Sequence, residues 1–283
     1  MLSKLLKHEF RATGRKMLPS LGVLALLGLL ASLSIRGLEA DIGSDPLRIA
    51  MILLIVAFAI AVTVIWIVTL VQMIVRFYSN LLKEEGYLSF TLPASIHELV
   101  WAKLIVATVW FFVTALLIVV LTALAIIIGG RMNFDDLKAA FEGIDMVLEV
   151  MRGEGVTGGI LTLFCAEIIL SSVCVCLTTC LHFYAAMSLG QMSDNHKALW
   201  SVLAFIGISI AFSIAANLIL KGFAALGVTP RSIDDLFETV TTMPDTFRLM
   251  NRSMGFMMLG NLVQSAVLYL ITVFSLQRRL NLA

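Results

Sequence analysis

The feature that most constrains this sequence is its set of long runs without Lys, Arg, Asp or Glu. Residues 17–35, 49–75, 104–130, 198–220 and 253–276 are uncharged, and a sixth run, about 158–190, contains one acid, Glu167, and one histidine, His182. A helix needs about 20 apolar residues to cross about 30 Å of hydrocarbon, so each run is long enough. Inside lipid every backbone N–H and C=O must find a partner within the protein, and runs of this length without alternation can do that only as helices. The expected fold class is all-α: a polytopic membrane protein of six transmembrane helices.

Composition supports this. The chain is 60% hydrophobic and 14% charged, against about 45–50% and about 25% for a soluble protein. Six spans and their connections occupy most of the 283 residues, so a single membrane domain, 1–283, is expected. Its surroundings are the lipid bilayer, and no nucleic-acid partner is expected.

Orientation follows from the charges between spans. With the N-terminus inside, the inner segments hold 11 basic residues against 9 outside, and 5 acids against 13 outside. Basic residues orient helices and acids contribute little. The deciding features are therefore Lys4, Lys7, Arg11, Arg15 and Lys16 before the first span, and Arg278 and Arg279 after the last. Both termini are placed in the cytoplasm.

The first span follows a basic segment and carries Ser32, Leu33 and Ser34, a loose cleavage pattern. It is nevertheless too long for a signal peptide, whose apolar region runs to about 15 residues. In the leader, Leu2, Leu5, Leu6 and Phe10 share one helical face and the cations take the rest. That pattern predicts an interfacial amphipathic helix lying in the plane of the inner leaflet. The four cysteines, Cys165, Cys174, Cys176 and Cys180, all fall in the fourth span without a C-x-x-C spacing. They read as packing residues, with no metal site.

The connection 76–103 is the most specified of the loops. Its sequence is RFYSNLLKEEGYLSFTLPASIHELVWAK. Phe77, Leu81 and Leu82 predict a short amphipathic helix ending at Gly86. Extended chain follows as far as Pro93, which disfavours helix in the residue before it. Ser95 and Glu98 then form a capping box that starts the next helix ahead of the membrane.

Two of these segments carry a family resemblance. The leader, 1–15, reads MLSKLLKHEFRATGR, and 84–93 reads EEGYLSFTLP. Together with six spans, a long second connection and a short third one, they resemble the six-helix permease subunits of bacterial ATP-binding-cassette exporters of the type-2 class, particularly Gram-positive ones. The resemblance implies a multi-pass protein of the bacterial plasma membrane. It implies that Glu84, Glu85, Gly86, Tyr87 and Pro93 couple to a separate ATPase subunit, with the leader beside them and 193–197 as a smaller contact. It also implies a dimer, with a second copy or with a related permease. The chain has no G-x-x-x-x-G-K-[ST] phosphate loop. ATP and Mg are therefore expected in the partner ATPase, and this chain is expected to be no enzyme and to hold no cofactor.

On the outer side, Phe134, Leu137, Phe141, Ile144, Leu148 and Met151 recur at helical spacing with acids between them. They predict an amphipathic helix over about 133–152, capped by Asn133. Another is expected over about 232–250, with Ser232 as a cap and Pro244 opening a further turn.

The substrate path is assigned to polar residues within the spans: Ser209, Ser213 and Asn217 in the fifth, Asn261 and Ser265 in the sixth, and Glu167 in the fourth. Hydroxyl and amide stripes also bond neighbouring helices. Glu167 is costly in lipid, and so is either functional or placed at the outer interface. No H-E-x-x-H spacing follows His8 or His97, and the sequence around Ser209 lacks the closing glycine of a nucleophile elbow. Two function classes remain. One is an export permease driven by a partner ATPase. The other is a six-span scaffold, regulator or ion-coupled carrier without one.

Overall fold

In the computed structural model, residues 2–82, 95–129, 134–153, 155–193, 196–225 and 243–278 are described. They form seven helices: α1 (Leu2–Glu39), α2 (Asp45–Leu81), α3 (Ile96–Gly129), α4 (Phe134–Gly153), α5 (Gly158–Gly190), α6 (Lys197–Ala225) and α7 (Met243–Arg278). Six of them, all but α4, are long and apolar enough to cross a membrane. The chain is an all-α multi-pass membrane protein, and each of the six runs lies within one of these helices as far as the described residues reach.

The helices outrun the apolar stretches that announce them. The sequence separates the leader from the first span, but the structure joins them in one helix of 38 residues, with Pro19 inside it. The apolar stripe of Leu2, Leu5, Leu6 and Phe10 stays in phase with the buried Thr13, Met17, Leu21, Leu24 and Ala31, so nothing in the pattern breaks at Met17. Likewise the start of the short helix expected after the second span is the end of α2, on which Phe77 and Leu81 are buried, with Leu82 buried just after it; Gly86, its expected end, lies outside the described residues. Residues 243–250, expected in an outer helix of their own, belong to α7. Pro244 stands in its first turn, where the missing N–H costs nothing. The rest of 232–250 lies outside the described residues.

The chain forms two compact units. The first comprises Met1–Phe77 and Leu92–Gly143, and the second Tyr78–Thr91 and Ile144–Ala283. In the first, α1 and α3 pack most extensively. Their partners Glu9–Lys103, Thr13–Trp110 and Gly28–Leu121 advance together, so the two helices are parallel. Helix α2 is antiparallel to α1, as Glu9–Arg76 and Gly28–Phe58 show. Gly28 makes this approach possible: a β-carbon there would lie 3.0 Å from both Leu121 and Phe58. Stacked Trp66 and Phe111 rings, 5.9 Å apart, and Thr69 with Thr114 join α2 to α3.

In the second unit α5 packs on α7 in parallel, marked by Phe164–Phe247 and Thr178–Ser265, and on α6 antiparallel, marked by His182–Ser209. At the turn between α5 and α6, a β-carbon on Gly190 would stand 2.6 Å from the Ser201 backbone nitrogen. Only a glycine permits that contact. Of the spanning helices, α2 in the first unit and α6 in the second are the least buried among the described residues. Apolar side chains such as Ile52, Leu53, Ile60 and Ile67 on α2, and Val202, Ile210, Ile214 and Leu218 on α6, face outward, as expected of surfaces that meet lipid.

Candidate functional site

A charged cluster occupies the end of the first unit where the connection 76–103 leaves and returns. Glu9 stands on the inward stripe of α1, one turn after Leu5 and one turn before Thr13, whereas Lys4, Lys7, Arg11 and Arg15 are exposed. The Glu9 carboxylate accepts from Lys103 Nζ at Oε1, 2.9 Å, and from Arg76 Nε at Oε2, 3.1 Å. Lys103 is buried to 5% side-chain exposure and Glu9 to 14%, while Arg76 keeps 33%. Arg76 and Lys103 are the first and last residues of the connection, so one leader carboxylate grips both of its ends.

The next turn continues the contact. Trp110 Nε1 donates to Thr13 Oγ1 at 2.8 Å, and that hydroxyl donates to the Glu9 carbonyl at 2.7 Å. Gly14 leaves room for the indole, whose Cζ2 lies 3.6 Å from where a β-carbon would be. Burial alone would raise the Glu9 pKa, but the charges of Lys103 and then Arg76, with their hydrogen bonds, outweigh it. The carboxyl is held below its ordinary value. Glu9 precedes the apolar segment, which begins at Met17, so it stays ionised at the edge of that segment.

The return into α3 is built as the sequence predicts. Ser95 N–H donates to Glu98 Oε2 at 3.0 Å, and Glu98 N–H donates to Ser95 Oγ at 3.2 Å, the two reciprocal bonds of a capping box. The five residues that the resemblance assigns to coupling, Glu84, Glu85, Gly86, Tyr87 and Pro93, lie outside the described residues.

The residues assigned to a substrate path are spread over the second unit and do not converge. Ser209 meets His182, with Nε2 at 3.0 Å, and donates to the Phe205 carbonyl at 2.8 Å. Ser213 and Asn217 are exposed on α6, and Asn217 bonds its own helix at the Ser213 carbonyl. Ser265 pairs with Thr178 at 2.7 Å, and the Asn261 carbonyl accepts from the same threonine at 3.2 Å. Glu167 is half-buried. Its Oε2 is enclosed without a protein hydrogen-bond partner, as is Asn251 Oδ1 on α7. On the parallel register of α5 and α7 these two residues stand at the same level, between Phe164–Phe247 and Thr178–Ser265. Beyond the spans, Leu148 and Met151 of α4 are half-buried and Asp145 and Glu149 exposed, as an amphipathic helix requires.

Sequence reasoning passed over Glu9, Thr13, Trp110 and His182. The signal for Glu9 was available, since it is the one acid of the leader and falls in phase with Leu2, Leu5 and Leu6. Compared with known protein families, with curated proteins and with solved structures, the chain matches none of them.

Proposed function

We propose that this chain is the transmembrane subunit of an ATP-driven exporter. In this reading it spans the bacterial plasma membrane with both termini cytoplasmic, pairs with a second permease, and couples through the connection 76–103 to a separate ATPase carrying ATP and Mg. The observation that carries the reading is the construction of that connection. It leaves from a helix that buries Phe77 and Leu81, with Leu82 buried just after it, and it returns through a capped helix start at Ser95. Functional loops are typically those positioned by a rigid scaffold.

Helix lengths support it. About 39 Å of α1 separates Glu9 from Ile35, which meets Gly129 at the other end of the unit. Hydrocarbon is about 30 Å thick, so both ends of the unit cannot lie within it, and in the proposed orientation the charged end with Glu9, Arg76 and Lys103 is the one that faces the inner headgroups and a cytoplasmic partner. Glu84, Glu85, Gly86, Tyr87 and Pro93 are the coupling residues in this proposal. Because the Ser209 and Ser265 hydroxyls bond neighbouring helices, the path is left to Glu167, Ser213, Asn217 and Asn261, whose side-chain amide donates to the Met257 carbonyl of its own helix.

Co-expression with a candidate ATPase subunit of the ATP-binding-cassette class tests the proposal. The two should co-purify in detergent, and Gly86→Val or a Glu84→Lys, Glu85→Lys pair should lower ATP hydrolysis by the complex while the chain still inserts. Transport by this chain alone, with no nucleotide-hydrolysing partner, overturns it.

A further inference from the structure

We infer that Glu9 is the positioning residue of the connection 76–103. Its carboxylate locks the leader, the end of α2 and the start of α3 into one body, so that a push on the connection is delivered to α1. This inference rests on the exporter reading for its destination, but its physical basis is independent of it.

Three observations carry it. First, Glu9 is bonded to both ends of the connection at once, to Arg76 at 3.1 Å and to Lys103 at 2.9 Å. A carboxylate bound to one cation would tie two helices, whereas this one ties three. Second, the enclosed members cannot part cheaply. With Lys103 at 5% and Glu9 at 14% side-chain exposure, pulling them apart inside the contact leaves uncompensated buried charge. Third, α1 is continuous from Leu2 to Glu39. A displacement at Glu9 is therefore carried along the helix past Met17, Leu21 and Leu24, which are buried on the same stripe. Thr13 and Trp110 repeat the α1–α3 tie one turn on, at 2.8 Å, and make the joint resist rotation as well as sliding.

Charge-assisted hydrogen bonds of this kind stabilise by amounts equivalent to about tenfold or more in an opening equilibrium. The first measurement is hydrogen exchange on the purified chain in detergent, which needs no ATPase. In Glu9→Gln, exchange should rise about tenfold in 2–13 and in 96–103 together. Acceleration in the leader alone, or in neither segment, overturns the lock.

The second measurement is ATP hydrolysis by the reconstituted complex. Glu9→Gln should keep the ATPase bound but lower hydrolysis about tenfold, Glu9→Asp should restore part of it, and Lys138→Gln, exposed on α4, should change nothing. Joint loosening of both segments with unchanged hydrolysis also overturns the positioning role while leaving the exporter reading intact. If the wild-type chain binds no ATPase, the exporter reading fails and the exchange data still decide the lock. Where Glu9→Gln does not yield folded protein, Glu9→Asp and Arg76→Lys keep the charges, shorten the reach and serve the same two measurements.

Discussion

Two parallel helix seams each enclose an acid, Glu9 in one and Glu167 in the other, and they treat it differently. In the α1–α3 seam Glu9 is enclosed with two cations and the contact continues through Thr13 and Trp110. In the α5–α7 seam Glu167 keeps an enclosed oxygen with no protein partner, level with the equally unpartnered Asn251 Oδ1, and the seam is held instead by Thr178, Ser265 and an edge-to-face Phe164–Phe247 pair 5.6 Å apart. The contrast separates two jobs. An acid that is paired twice fixes geometry, while an acid enclosed without a partner is a cost that the fold carries for another reason.

Removing charge should therefore act oppositely in the two seams. The largest effect is expected for Glu9→Ala, which strands Lys103 inside the contact. The loss should be about 2–3 kcal/mol, at the lower end for a buried pair because Arg76 is one-third exposed. Denaturant unfolding in detergent micelles, followed by Trp fluorescence, measures it. A loss no greater than that of a surface substitution would erase the contrast.

Next in size is Thr178→Val in the other seam, which removes the bond to Ser265 but keeps the shape. A loss of about 0.6 kcal/mol is expected, typical of hydrogen bonds between membrane helices. A loss as large as that of Glu9→Ala would mean that the two seams are fastened with equal strength.

Smaller again is Glu167→Gln, which removes a charge without removing a protein bond. Stability should stay the same or rise slightly, and a destabilisation comparable to Glu9→Ala would show that Glu167 has a partner in the membrane after all. Acid pH gives the finest test. The folded-state pKa of Glu9 is depressed by Lys103 and Arg76, so its contribution is complete above the ordinary glutamate value and is lost as pH falls through the depressed one. Wild type should lose stability over that interval and Glu9→Gln should lose less. Identical acid profiles would remove Glu9 from the account.

The comparison also shows why one acid was legible and the other was not. Glu167 is conspicuous in sequence because its neighbours are apolar. Glu9 sits among Lys4, Lys7, His8 and Arg11 as the one acid of the leader, and its helical phase turns it to the stripe of Leu2, Leu5 and Leu6. Its partners lie 67 and 94 positions away, beyond the reach of any local pattern. The Ser95–Glu98 box was readable because both of its members belong to one turn. The serines and asparagines of the fifth and sixth spans were readable as polar, but whether each meets a helix or the outside depends on which faces pack.

By itself the sequence determined the solvent of this protein and its class. Long uncharged runs cannot satisfy their backbone in lipid except as helices, and this follows from length and composition with no knowledge of contacts. It also determined where α3 begins, since a cap is local chemistry. Only the tertiary structure decided that the leader continues into the first span, that α1 with α3 and α5 with α7 form the main seams, and that Glu9 closes the connection at both ends. Those outcomes depend on which helix faces meet, and identical apolar stripes permit many such pairings until shape, glycine clearances and a few enclosed charges select one.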